Sequence, residues 1–262
     1  MTAQTNASAG ISSAHGPHDL PDVDLARDAI LLDVDGTLLD IAPTPDAVHV
    51  PDELREALAR LEERSGGCVA LISGRPLQSL DRLFAPLRLP AAGCHGAELR
   101  PRTGADEAEY DAARMSDSAK AAFSDVGRRV PGLRVEDKGF TLAFHYRSIQ
   151  DREADVLNAV AAHMTELGPD YEMLRGKAIV EVKPKRFNKG TALRGLMSYA
   201  PFAGRRPIFH GDDVTDEDVF QALPEFGGVG ISVGKRIAGA DYCVESPGDI
   251  RRWLCHLAGL AA

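Results

Sequence analysis

Three apolar runs constrain this chain more than any other feature. They are AILLDV at 29–34, CVALISG at 68–74 and PIFHGDD at 207–213. Each is apolar on both faces, without the polar–apolar alternation of a half-exposed strand, and each ends in polar residues. Strands of this kind must be covered on both sides, which demands a parallel sheet between layers of helices. The intervening residues supply those layers. DELREALARLEER at 52–64 has Pro51 before it and Gly66-Gly67 after it, the punctuation of a helix, and a second helix is predicted from near Pro76. LPAAGCHGAEL at 89–99 reads as a further short strand.

The pattern then changes. Residues 111–129 and 151–167 read as helices. LRVEDKGFTLAFHYR at 133–147 holds two short strands around Lys138-Gly139, and YEMLRGKAIVEVKP at 171–184 is a second hairpin turning at Gly176. Phe140, Leu142 and Phe144 alternate with Thr141, Ala143 and His145, as half-buried strands do. The first pattern resumes with a helix over 189–199, the strand at 207–213, a helix at 216–222, the strands GVGISV and DYCVES, and a closing helix at 248–258. The predicted fold is α/β: a Rossmannoid core of residues 25–106 and 185–262, an inserted α+β unit at 107–184, and a disordered leader at 1–24.

The net charge of −9 argues against a nucleic-acid partner, which wants a basic surface. No apolar run approaches the roughly 18 residues that a membrane helix needs. The first twenty residues lack a cationic start and an apolar core, so a secretory signal is not expected. Cysteines 68, 94, 243 and 255 form no C-x-x-C pair, which speaks against zinc and against a disulfide framework. A cytoplasmic, monomeric protein acting on a small molecule is the expectation.

Ligands of open parallel sheets sit at the carboxyl ends of the strands. Asp33 and Asp35 follow the first run, Ser73 the second, and Asp212 and Asp213 the third. Carboxylates that converge repel one another unless a cation joins them, and an oxygen-rich set with room for water suits Mg2+. Asp33 can attack phosphorus, and Asp35 can protonate the leaving alkoxide and later activate water. Lys189, at the start of the helix after the insertion, can balance phosphoryl charge. Thr37 and Ser73 offer hydroxyl donors, while Gly36 and Gly74 allow backbone amides to approach an anion. Asp216 either caps the helix it begins or orders a metal-bound water.

DVDGT (33–37), SGR (73–75), Lys189 and GDDVTD (211–216), in that order, resemble the four motifs of the haloacid dehalogenase (HAD) phosphatase superfamily. The insertion lies where that superfamily carries its C2-type cap. The resemblance implies an aspartyl-phosphate mechanism with Asp33 as nucleophile, and Mg2+ held by Asp33, by the backbone carbonyl of Asp35 and by Asp212. ISGRP, GCHGAELR, KGFTLAFHYR, GKAIVEVKP and GDDVTDEDVF further resemble the trehalose-6-phosphate phosphatases, over about residues 29–255. That likeness implies sugar contacts from Glu136, Lys138, Arg147, Lys177 and Glu181, with His95 and Glu98 at the core–cap junction. Ile179 stands where some fungal members have asparagine. Charged strand residues are otherwise most often the wet face of a sheet, which applies also to Lys183 and His145. A phosphatase for sucrose phosphate or mannosylglycerate phosphate is the nearest alternative. A phospho-accepting signalling module is the non-enzymatic one; such receivers lack the D-x-D pair and the insertion.

Overall fold

The three apolar runs become neighbours at the centre of one sheet. The computed structural model describes residues 12–13, 20–42, 47–104, 109–110 and 114–260. In chain order the strands are β1 (Ser12–Ser13), β2 (Asp28–Leu32), β3 (Val69–Ile72), β4 (Ala91–Gly93), β5 (Glu98–Arg100), β6 (Glu109–Tyr110), β7 (Arg134–Asp137), β8 (Leu142–His145), β9 (Tyr171–Gly176), β10 (Ile179–Pro184), β11 (Arg206–Gly211), β12 (Val229–Val233) and β13 (Tyr242–Val244). The helices are α1 (Asp52–Ser65), α2 (Leu77–Phe84), α3 (Asp117–Ala122), α4 (Ser124–Arg129), α5 (Glu153–Leu167), α6 (Lys189–Met197), α7 (Glu217–Ala222) and α8 (Pro247–Leu257).

The larger sheet has the order β1-β13-β12-β11-β2-β3-β4-β5-β6. It is parallel from β1 to β4 and antiparallel over β4, β5 and β6. Successive residues of β2 point into different layers. Ile30 and Leu32 join α1 (Leu54, Leu58, Leu61) and α8 (Trp253, Leu254) on one face. Leu31 joins α6 (Leu193, Leu196) and α7 (Val219, Phe220) on the other. Both faces are therefore dry, which is why the run shows no alternation.

The smaller sheet is antiparallel, β7-β8-β10-β9. Leu142, Phe144, Val180 and Val182 pack with Phe123, Val126, Val156 and Val160 from the helical side. The alternate residues, Glu136, Ala143, His145, Glu181 and Lys183, lie on the opposite face. Glu136 pairs with Ala143 across β7–β8, and Glu181 pairs with Ala143 across β8–β10. Two carboxylates thus flank one small side chain.

Several elements differ from the sequence expectation. LPAAGCHGAEL is not one strand but β4, a 3-10 turn at Cys94–Gly96 and the antiparallel β5. The reversal uses three consecutive residues of positive φ, Cys94 (φ 48°), His95 (φ 58°) and Gly96 (φ 99°), a conformation ordinary for glycine, uncommon for histidine and rare for cysteine. The helix expected over 151–167 begins at Glu153, after a 3-10 segment at Arg147–Arg152. The predicted helix over 111–129 is the pair α3 and α4, and residues 111–113 lie outside the described residues. Most of the predicted leader, residues 1–11 and 14–19, also lies outside them. Within it, Ser12 and Ser13 pair in parallel with Tyr242 and Cys243, and Leu20 enters the core. Among the described residues no helix is long and apolar enough to cross a membrane.

His210, near the end of β11, is fully buried, with its ring centroid 4.7 Å from that of Trp253. The Leu31 backbone lies beside the ring, but neither ring nitrogen has a well-formed hydrogen bond. Burial pushes the imidazole down to about 3 from an ordinary value of 6.5. The unfolded chain then binds a proton that the folded chain refuses, so stability is intact above the unfolded value and falls as pH drops from there toward 3. Between pH 7 and pH 5 this single residue is expected to cost about 2 kcal/mol. His210→Leu should shrink the pH 7-to-5 loss by that amount in urea titrations, and an unchanged loss would show that the imidazole is solvated.

Candidate active site

The polar ends of β2 and β11 meet because the strands are adjacent; the Asp33 amide donates to the His210 carbonyl at 2.9 Å. One carboxylate oxygen from each of Asp33, Asp212 and Asp216 lies within 4.8 Å of the others. Lys189, the first residue of α6, brings its ammonium into this group and donates to Asp33 Oδ1 at 2.6 Å and Asp216 Oδ1 at 2.7 Å. Its position is set by a capping box in which Asn188 accepts from the Thr191 amide. Asp33, Lys189 and Asp216 are all buried.

Gly36 has φ 92°, and a Cβ there would fall 2.2 Å from Asp212 Oδ2. The residue is therefore glycine for two reasons, backbone conformation and close approach to the acid. Thr37 Oγ1 donates to Asp212 Oδ1 at 3.4 Å. Ser73 is buried at the end of β3, and its Oγ accepts from the Arg75 amide at 3.2 Å. Asp216 makes no side-chain cap on the helix it precedes; its Oδ2 accepts from the amides of Asp212 and Asp213, each at 3.0 Å, while Oδ1 meets Lys189. Asp213 caps the following turn through the Val214 amide at 2.8 Å.

Asp35 does not join the carboxylate group. Arg75 holds it in a fork, Nε to Oδ2 and Nη2 to Oδ1, both at 2.6 Å. The sequence expectation put Asp35 on the ion through its carbonyl; the side chain acts elsewhere. Arg75 is absent from the sequence candidates, although it belongs to the SGR motif; Asp216 is among them, but its ion pair with Lys189 is not foreseen.

From the smaller sheet, Lys138 Nζ contacts Glu181 Oε1 at 2.5 Å and donates to the Gly74 carbonyl at 3.0 Å. Glu181 Oε2 lies 2.8 Å from His95 Nε2, and Glu136 Oε2 lies 2.8 Å from His145 Nε2. Four other residues turn away from this group. Glu98 accepts from the Leu77 amide at 2.6 Å and so caps α2. Arg147 donates to the carbonyls of Ala42 at 3.1 Å and Lys177 at 3.3 Å. Lys177 is exposed in the β9–β10 turn. Lys183 is buried against Glu172 and the Phe187 carbonyl.

Burial raises Asp33 well above the usual carboxylate range; Lys189 pulls it down, and Asp216 and Asp212 push it up again. Burial and the negative Asp216 raise Asp212 to about 6. Burial opposes the charge on Lys189, but Asp216 and Asp33 outweigh it and raise its value. Three carboxylates thus face one ammonium, and the excess negative charge shows up as reluctance to ionise. An all-oxygen donor set with surplus negative charge fits a hard divalent cation.

The family model described as trehalose-phosphatase matches residues 31–241. The chain belongs to the trehalose-phosphatase family. It is 39% identical over 254 residues to a probable trehalose-phosphate phosphatase of Sinorhizobium fredii, covering 94% of each chain. It is 38% identical over 229 residues to the trehalose-6-phosphate phosphatase of Escherichia coli, covering 87% of this chain and 86% of that one. Among solved structures, the C-terminal domain of Candida albicans trehalose-6-phosphate phosphatase superposes with a TM-score of 0.78 at 25% identity, covering 97% of this chain and 100% of that domain. The trehalose-phosphatase fold is a HAD-like Rossmannoid core with a cap, as the sequence motifs predicted.

Proposed function

We propose that the chain hydrolyses trehalose 6-phosphate to trehalose and phosphate, with Mg2+ as cofactor and Asp33 as the nucleophile. The observation that carries this reading is convergence. Asp33, Asp212, Asp216 and Lys189 gather at one sheet edge, beside a Ser73–Gly74 loop that Lys138 and His95 contact. The relatives' names supply the sugar.

In the proposed reaction an Asp33 carboxylate oxygen attacks phosphorus, and the bond from phosphorus to the sugar oxygen breaks. The departing oxygen takes a proton from Asp35. Water then attacks the aspartyl phosphate and gives its proton to Asp35, and the bond from phosphorus to Asp33 breaks. Lys189 stays within reach of Asp33 and meets the phosphoryl charge, while Ser73, Thr37 and the Gly74 amide orient its oxygens. Asp35 must first part from Arg75, since the fork occupies both of its oxygens. Asp33 and Asp212 would hold Mg2+ with the Asp35 carbonyl, and Asp213 and Asp216 would steady that loop. When bound, the ion supplies positive charge to the phosphoryl oxygens.

Glu136 and Glu181, on either side of Ala143, with Lys138 beside them, are suited to read sugar hydroxyls. Arg147, Lys177, His95 and Glu98 would reach a sugar only after leaving their present partners. A reducing cytoplasm agrees with the free state of Cys68, Cys94, Cys243 and Cys255.

The test is phosphate release from a panel of trehalose, sucrose, glucose and mannosylglycerate phosphates, with Mg2+ and with chelator. Trehalose 6-phosphate should lead by at least about tenfold in kcat/KM, a margin of roughly 1.4 kcal/mol in transition-state binding. Chelation should stop turnover. Equal rates across the panel would remove the sugar assignment, and full activity in chelator would remove the metal.

A further inference from the structure

We propose that His95 is a positioning residue that couples the cap to the phosphate loop, holding the Ser73–Gly74 backbone in place through Glu181 rather than serving as a sugar ligand. This rests on the reading above insofar as the Ser73–Gly74 loop meets the phosphate.

The backbone around His95 is strained. Cys94 and His95 both adopt left-handed φ, at 48° and 58°. For residues other than glycine this conformation is unfavourable, and it persists only where surrounding contacts enforce it. Those contacts tie the segment to residues 73–75: the Cys94 amide donates to the Arg75 carbonyl at 3.0 Å, the His95 amide to the Ser73 carbonyl at 3.1 Å, and the Ser73 amide to the Ala92 carbonyl at 2.9 Å. The left-handed turn lays the imidazole directly on Gly74, where a Cβ would fall 2.7 Å from Nε2. Glycine at 74 is thus required by the ring that covers it.

The same Nε2 reaches the cap. Glu181 Oε2 lies 2.8 Å away, and its other oxygen meets Lys138, which in turn donates to the Gly74 carbonyl. The three side chains are each 8% exposed. Burial opposes ionisation of Glu181, but Lys138 and His95 outweigh it and keep the carboxylate charged. Burial holds His95 toward its neutral form against the pull of Glu181. A carboxylate only accepts, so the ring donates from Nε2. Gly74 is therefore gripped twice, by the His95 ring and by the Lys138 ammonium, and both grips close through Glu181. A shift of the smaller sheet that frees Glu181 loosens both. Sugar binding alone gives no reason for the ring to cover Gly74 or for the strained turn that puts it there.

Wild type, His95→Ala, His95→Gln, Glu181→Ala and the double variant His95→Ala/Glu181→Ala are assayed on trehalose 6-phosphate and on p-nitrophenyl phosphate, which has no sugar. Inhibition by inorganic phosphate and thermal melting are measured beside them. His95→Ala should lose about tenfold to hundredfold in kcat/KM on both esters and bind inorganic phosphate more weakly. His95→Gln, which keeps a donor at similar reach, should recover most of the loss. On p-nitrophenyl phosphate the double variant should lose little more than the worse single one, the sign of coupled residues. A loss confined to the sugar ester would make His95 a sugar ligand and overturn the proposal. So would unchanged kinetics with a lowered melting temperature, or full additivity. If His95→Ala does not fold, His95→Gln and Glu181→Ala carry the same comparison. Failure of wild type on trehalose 6-phosphate would remove the substrate assignment yet leave the sugar-free arms to decide the coupling.

Discussion

Asp33→Asn is expected to abolish phosphate release while the protein stays folded. The amide keeps the size of the carboxylate and can still accept from Lys189, which holds on to Asp216 as well. It lacks the negative charge and nucleophilicity that attack on phosphorus requires, and a loss on the order of 10⁴-fold or more in kcat is expected for a nucleophile. Stability should hold or rise, because burial and two nearby carboxylates already disfavour the charged form of Asp33. The measurements are kcat on trehalose 6-phosphate and the urea midpoint. Near-normal turnover would contradict the proposed chemistry, and a collapsed midpoint would make Asp33 a structural residue.

Asp216→Ala carries the largest expected loss of stability. Asp216 is fully buried and does three things at once: it pairs with the Lys189 ammonium and accepts from the amides of Asp212 and Asp213. Deleting it leaves a buried cation with one partner fewer and two amides without an acceptor, which costs about 3–5 kcal/mol. A helix cap alone would cost about 1 kcal/mol. Urea titration of Asp216→Ala separates the two, and Asp216→Ala/Lys189→Met should regain part of the loss because it removes the stranded charge. A loss near the lower figure, with no gain in the double variant, would reduce Asp216 to a cap.

Much of the site was legible because a parallel sheet puts chemistry at its carboxyl edge. Asp33, Ser73 and Asp212 each end an apolar run, and runs of that kind have one place to go. Side-chain partners were not legible in the same way. Asp35 and Arg75 are 40 positions apart, and nothing in either segment says that the second motif supplies the partner of the first. Glu98 looked like a junction residue and instead caps α2, since Pro76 at the start of that helix offers no side-chain acceptor. The split of LPAAGCHGAEL was not legible because cysteine rarely adopts left-handed backbone and histidine does so only in a minority of cases.

By itself, the sequence determined which strands are buried on both faces, their polar ends, and the residue types gathered there, because hydrophobic periodicity and turn chemistry are local properties of the chain. Only the tertiary structure decided that Lys189 stands between Asp33 and Asp216, that Arg75 holds Asp35, and that Glu181 ties Lys138 and His95 to Gly74. Those are contacts between residues far apart in sequence, and burial in a shared space selects such partners among several of the right charge.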